Sequence, residues 1–346
     1  MDFKTDVTIV GAGPAGLFAV FECGMLGLKC HVVDALPEIG GQCTALYPEK
    51  PIYDIPAHPS ILAGDLIVQL EAQAKPFEPH YHTGQTVTEL KSVDGRFHLT
   101  TSAGNTIDSA TIIIAAGPGA FGPNKPPIKG IESYEGKSVF YMVRKRADFA
   151  GKRVVIAGGG DSAVDWALSL SEIAEKVYVV HRRDGFRAAP ESVQRLHLAA
   201  ANGGKIEMVI PYQLKNLEGA DGLLTGVQVA NLDGAEKMLQ ADALLAFFGL
   251  AAKLGPIAEW GLGIHANHID TNPTTGATNV PGIYAIGDVA NYENKIRLIL
   301  TGFSEAASAA HAAWRYMHPG QDLHMEYSTG KGVPGQKGAD IKTIAV

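Results

Sequence analysis

The chain has little of what most alternative readings require. Only three cysteines occur in 346 residues, Cys23, Cys30 and Cys43. None belongs to a Cys-x-x-Cys pair and no histidines accompany them at zinc-ligand spacing, so neither a disulfide scaffold nor a metal site is expected. They read as reduced packing residues. Long apolar runs are missing as well: the most apolar stretch, residues 243–252, is about half the length needed to cross a bilayer, and no membrane association is expected. Positive charge is not in excess. With a formal net charge of −7 and no global clustering of basic residues, nucleic acid is not an expected partner. At the N-terminus Asp2, Lys4 and Asp6 lead straight into a strand and a glycine loop, leaving no room for a cleavable leader. The expected location is the cytoplasm.

What is present is ordinary globular material, 46% hydrophobic and 19% charged, in a length that suits two domains. The run DVTIV is short, β-branched and apolar; GAGPAG and an apolar segment over 17–28 follow it. This predicts strand, glycine turn and helix. A second short strand ends at Asp34, which closes a βαβ unit of about 30 residues. The pattern returns about 150 residues later as RVVIA, GGGDSA, a helix reaching residue 175 and a strand ending at His181. That separation is too long for a solenoid repeat and points to two nucleotide-binding domains. Between the units, 86–101 and 104–114 alternate like antiparallel strands. The stretch GPGAFGPNKPP is a candidate crossing between domains, with a return near 247–256. GIYAIGDVA predicts a further strand-to-helix turn, followed by a helix over 304–317. Beyond about Lys331 the chain is polar and glycine-rich.

In the first unit Gly11 permits the tight turn, Gly13 lets the backbone approach a pyrophosphate, and Gly16 lets the helix pack closely on the strand; Ala15 lies within the same motif. The helix N-terminus attracts phosphate through its free amides and its dipole. Asp34 is placed to accept from a ribose 2′-hydroxyl, and its charge repels a 2′-phosphate. This site suits FAD or NAD. The second unit carries Gly158, Gly160 and Asp161 at its turn, and in place of the acid it has His181, Arg182 and Arg183, with Arg187 close behind. Guanidinium forks match phosphate oxygens, so these residues suit NADP(H), the alternative being a solvated basic turn. Hydride transfer from nicotinamide to flavin gives one chain a reason to hold both nucleotides.

GAGPAG, IIIAAG, GGGDSAVDWAL, HRRDGFRA and GIYAIGDVA together resemble the low-molecular-weight thioredoxin reductases over nearly the whole chain. The resemblance implies an α/β architecture of two Rossmann-like nucleotide-binding domains with a C-terminal extension. It also implies a discontinuous FAD-binding domain over 1–117 and 250–346 and an NADPH-binding domain over 118–249. By the same analogy Asp288, beside Gly287, contacts the flavin's ribityl or phosphate region. One departure matters. Where those enzymes carry a redox dithiol, this chain has Tyr141-Met142-Val143-Arg144, and a dithiol relay cannot run without thiols.

GGQCTALYPEKPIYD, GPGAFGP and a C-terminal extension with Tyr327-Ser328-Thr329 are similar to the thioredoxin-reductase-like ferredoxin–NADP(H) reductases. That similarity implies Tyr47 on one face of the flavin and Tyr327 on the other. It further implies FAD contacts at Gly41, Gln42, Val87, Phe121 and Thr329, and a homodimer. Tyr47 beside Pro48 also suits a turn aromatic packed on the core. The expected activity is electron transfer between NADPH and ferredoxin, or flavodoxin, through FAD, with no side-chain acid or nucleophile required. An NADPH-dependent flavin or quinone reductase of the same fold and a nucleotide-binding redox sensor are the rival readings. Candidate docking cations for an acidic carrier are Arg144-Lys145-Arg146 and the pair Lys295 and Arg297, which a solvated surface would also explain.

Overall fold

Alternation of apolar side chains along β-branched strands builds the first layer. β1 (Asp2–Val10) sends Val7 and Ile9 to one face and Val10 to the other. Gly13 caps α1 (Pro14–Met25), whose first residue is the proline a helix tolerates best at that position. β2 (Cys30–Asp34) runs parallel to β1 with Cys30 opposite Val7. In the computed structural model residues 1–201, 203–324 and 332–334 are described, with backbone alone at 120, 121 and 250–252. The chain divides into two compact units. One comprises Met1–Phe121 and the chain from Ala252 onward, the other Gly122–Ala251.

In the first unit α2 (Ala63–Ala74) precedes β3 (His80–Thr83), β4 (Val87–Val93), β5 (Arg96–Thr101) and β6 (Thr106–Ile114). The sheet order is β3-β2-β1-β6-β5-β4. Strands β1, β2, β3 and β6 are parallel, while β4 and β5 add antiparallel pairings.

The second unit contains β7 (Val139–Phe140), β8 (Arg153–Ala157), α3 (Asp161–Ser171), β9 (Lys176–Val180), α4 (Pro190–Ala201), β10 (Ile206–Val209) and β11 (Ala243–Ala246). Its five strands, ordered β7-β11-β8-β9-β10, are all parallel. Helix residues Ala163, Trp166, Ala167 and Leu170 cover one face. The other face packs on Val227, Val229 and Leu239 of a three-stranded antiparallel sheet. Each such fully buried aliphatic contributes about 1.5–3 kcal/mol.

Back in the first unit, β12 (Ile283–Ala285) pairs with β6, a single turn spans Gly287–Val289, and α5 (Ile299–Met317) closes the chain's last described helix. The helix begins five residues earlier than the small-residue run predicts. Gly302 stands just ahead of that run, and the helix packs closely there: a Cβ on it would lie 3.1 Å from the Ala15 methyl. Ala306, Ala309, Ala310 and Ala313 form a fully buried stripe against Ala19, Val20 and Cys23 of α1, and their small size lets the two helices approach closely. No helix among the described residues is long and apolar enough to cross a membrane.

Candidate functional site

A partly open cavity of about 290 Å³ lies at the carboxyl ends of β1, β2 and β6, where parallel α/β sheets hold their ligands. Gly11, Gly13, Ala15, Asp34, Gly41, Gln42, Tyr47, Val87, Gly287 and Asp288 all line it. Gly16 does not; it lies buried beneath, where a Cβ would meet the Gly11 carbonyl oxygen at 2.0 Å. The side chain of Phe121 and all of Tyr327 and Thr329 fall outside the described residues.

The three motif glycines are constrained differently. Gly11 has φ +113°, and a Cβ on it would come within 2.3 Å of the Ala115 carbonyl oxygen. Protein packing alone therefore explains Gly11 and Gly16. At Gly13 a Cβ would meet no atom within 4 Å, so nothing in the chain requires glycine there. The bare backbone faces the cavity at the N-cap of α1, as close approach of a phosphate demands. Gly40 donates to the Ala12 carbonyl at 2.8 Å, pinning the Gly40-Gly41 loop to this turn.

Asp34 accepts from the Ala12 amide at 2.6 Å and the Leu36 amide at 2.8 Å, one on each oxygen. Burial raises its pKa despite these two amides, which act in the opposite direction. Each oxygen keeps a second lone pair for a ligand hydroxyl. Across the cavity the Tyr47 phenol and the Cys43 thiol are hydrogen-bonded to each other. Burial pushes the Cys43 thiol up to about 11 and the Tyr47 phenol well above its usual range, with Asp288 adding in the same direction. Both stay neutral at physiological pH. The sequence reading missed Leu36, Gln85, Thr86, Leu298, Ile299 and Gly302, all of which line the cavity. Of these only Gly302 carries a local signal, a glycine just ahead of the expected helix over 304–317.

The second unit repeats the arrangement. A Cβ on Gly158 would meet the Phe247 carbonyl oxygen at 2.7 Å, and one on Gly159 the His181 ring at 2.3 Å, whereas one on Gly160 meets nothing within 4 Å. Gly160 is the N-cap of α3. The following loop is clasped to the turn: Arg187 donates its amide to the Gly159 carbonyl at 2.7 Å, and Asp161 accepts from the Ala189 amide at 2.9 Å. His181 Nε2 lies 3.2 Å from the Gly185 carbonyl oxygen. Burial lowers the His181 pKa, and the charges of Arg182, Arg183 and Arg187 lower it further. Those three arginines are exposed, and among the described residues none forms an ion pair. His181 stands at the position Asp34 holds in the first unit, as the amide bonds from Gly11 to Val33 and from Gly158 to Val180 show, and the three exposed arginines follow it in the loop.

Each of the two candidate docking clusters contains one cation that is held by the protein itself. Lys295 is an ion-pair partner of Glu305 with only 2% of its side chain exposed, so it is not a solvated cation. Arg146 is held by Ser169 and Glu172. Arg144, Lys145 and Arg297 remain exposed. All three cysteines are buried and free, and Val143, within the tetrapeptide at the dithiol position, is buried too. Among the described residues no cluster of histidine, cysteine or carboxylate side chains suits a metal ion.

Two parallel-sheet units, each with a phosphate-ready glycine turn and with ribose-side residues of opposite charge, define a two-nucleotide flavin- and NADP(H)-dependent oxidoreductase. The family described as pyridine nucleotide-disulphide oxidoreductases matches residues 5–313. Over 332 residues the chain is 60% identical to a protein of Paramagnetospirillum magneticum, covering 96% of this chain and 98% of that one. It is 61% identical over 336 residues to one of Rhodospirillum rubrum, covering 96% and 97%. Both relatives are named ferredoxin–NADP reductase. Thioredoxin reductase of Lactococcus lactis has a similar structure, with a TM-score of 0.77 at 26% identity over 91% of this chain and 99% of that one. This chain belongs to the pyridine nucleotide-disulphide oxidoreductases and, within them, to the ferredoxin–NADP reductases of the thioredoxin-reductase-like type.

Proposed function

We propose that this protein transfers electrons between NADPH and ferredoxin through FAD. The observation that carries the proposal is the pairing of two glycine turns, each open at one glycine that packing does not explain, with Asp34 beside one and three unpaired arginines beside the other. The FAD-binding part is assigned to residues 1–117 with the chain from 250, and the NADPH-binding part to 118–249; the two compact units change over slightly later, after Phe121 and after Ala251, which leaves Phe121 with the FAD-binding part. Amides at the start of α1 hold the FAD pyrophosphate, and the free lone pairs of Asp34 take the adenosine ribose hydroxyls. Tyr47, Gln42, Gly41, Val87, Gly287 and Asp288 surround the flavin end. The start of α3 holds the NADPH pyrophosphate and Arg182, Arg183 and Arg187 its 2′-phosphate. When bound, the flavin takes a hydride as an electron pair and releases electrons singly, which is what joins a nicotinamide to a one-electron carrier.

Flavodoxin as an alternative carrier, a homodimer as working form, and flavin contacts by Phe121, Tyr327 and Thr329 rest on resemblance to the ferredoxin–NADP reductases. Three buried, unpaired cysteines suit a reducing compartment, here the cytoplasm. The test compares NADPH-driven turnover on ferredoxins, flavodoxins, free flavins and quinones. Ferredoxin should give the highest kcat/KM. A clear preference for free flavin or quinone would replace the assignment with a reductase for those acceptors.

A further inference from the structure

Three segments of the first unit converge on one buried carboxylate behind the cavity wall. Glu305 lies on α5, three residues after the cavity-lining Gly302, and is 7% exposed. Its Oε2 accepts the Gly287 amide at 2.7 Å, and its Oε1 accepts the Tyr292 hydroxyl at 2.6 Å and the Lys295 ammonium group. Neither Glu305 nor Lys295 lines the cavity, but Gly287 and Asp288 do. The turn they form is closely seated: Gly287 has φ +71°, and a Cβ on it would touch the Ala15 methyl at 3.4 Å. The anchor of this turn therefore sets where Asp288 stands relative to the start of α1.

A buried ion pair is a poor stabiliser, because removing both charges from water offsets much of their attraction and an apolar pair of similar volume would serve as well. Its presence here calls for another use. A carboxylate gives the Gly287 amide a strong acceptor, and an unbalanced charge so near the cavity would act on any redox group inside it.

We propose that Glu305 and Lys295 are a positioning and charge-balancing pair for the flavin site: Glu305 anchors the Gly287–Asp288 turn, and Lys295 cancels the field that its carboxylate would exert on the flavin. The inference rests on the FAD reading of the cavity. Positive charge left near a flavin favours its electron-rich reduced form, and negative charge disfavours it. The two single neutralisations therefore have opposite signs, a signature that damage to packing does not produce.

The experiment measures flavin midpoint potential and FAD dissociation constant in the full-length holoprotein for wild type, Glu305→Gln, Lys295→Met and the double variant. Glu305→Gln should raise the potential, Lys295→Met should lower it, and the double variant should return close to wild type. Glu305→Ala, which also strips the Gly287 amide of its acceptor, should bind FAD about tenfold more weakly than Glu305→Gln. Shifts of the same sign, or none, with FAD retained would overturn the proposal. Should Lys295→Met not fold, the near-isosteric Glu305→Gln decides alone, since an unchanged or lowered potential contradicts the charge balance. Wild-type protein that binds no FAD would instead sink the reading of the cavity itself, a distinguishable failure.

Discussion

Replacing Gly13 with alanine isolates the ligand's demand on the glycine turn from the protein's own. Gly13 has φ −71° and ψ −178°, a conformation open to alanine, and the added methyl would meet no atom within 4 Å. Stiffening the unfolded chain gains about 0.4–1 kcal/mol, and the poorer N-cap loses a similar amount, so the apoprotein should change by no more than ~0.5 kcal/mol. Gly11→Ala is the contrasting control. There φ is +113° and the methyl would lie 2.3 Å from the Ala115 carbonyl oxygen, so the backbone must move, at a cost of about 3 kcal/mol or more. In the holoprotein the Gly13 methyl occupies the space through which the amides reach the pyrophosphate. Losing one charge-assisted bond, about 1.5–3 kcal/mol, weakens FAD about 10- to 150-fold. The assay pairs apoprotein melting with FAD titration followed by flavin fluorescence. Wild-type FAD affinity in Gly13→Ala, or an apoprotein as destabilised as Gly11→Ala, would refute the reasoning.

Gly160→Ala should do the same to the other nucleotide alone, weakening NADPH by a similar factor while FAD content and the apoprotein melt stay unchanged; loss of FAD would contradict it. The double change of Arg182 and Arg183 to alanine should raise KM for NADPH by about a hundredfold and leave KM for NADH nearly unchanged, and equal effects would make these arginines structural. His31, His80 and His82 cluster beside Phe3, with His31 stacked on His80 and His31 Nδ1 3.0 Å from His82 Nε2. Burial, then the neighbouring imidazoles His80 and His82, pushes the His31 pKa down to about 4, and burial also lowers His82. A depressed pKa stabilises the fold above the unfolded value near 6.5, and this contribution is lost as pH falls toward about 4. The acid-induced drop in Tm over that window should shrink in His31→Gln; parallel Tm profiles would count against the cluster. Reversing the charge of Arg144 and Lys145 should reduce the rate of ferredoxin association most at low ionic strength, whereas an unchanged salt dependence would remove them from the docking face.

The fold was readable because its signals are local. The short apolar, β-branched runs DVTIV and RVVIA, and the glycine turns followed by helices, are determined by side chains adjacent in sequence. Asp34, Tyr47 and Asp288 also announce themselves by short motifs, and the structure brings all three to one cavity. What stayed hidden depends on distant partners. Lys295 and Arg146 looked like solvated cations because nothing near them in sequence shows that Glu305 and Glu172 wait across the fold. Leu298 and Ile299 read as ordinary apolar residues, since only the tertiary course from β12 to α5 turns them toward the cavity. The early start of α5 was masked by Gly302, a poor helix former kept there by its contact with Ala15.

One chain carries electrons from NADPH through FAD to a one-electron carrier. Anaerobic single-turnover absorbance spectroscopy on the purified holoprotein tests it most directly. NADPH should bleach the flavin band far faster than NADH does at equal concentration, and oxidised ferredoxin added afterwards should restore it with two equivalents consumed per flavin. A flavin band that NADPH leaves unchanged, or one that ferredoxin fails to restore after bleaching, would contradict the account.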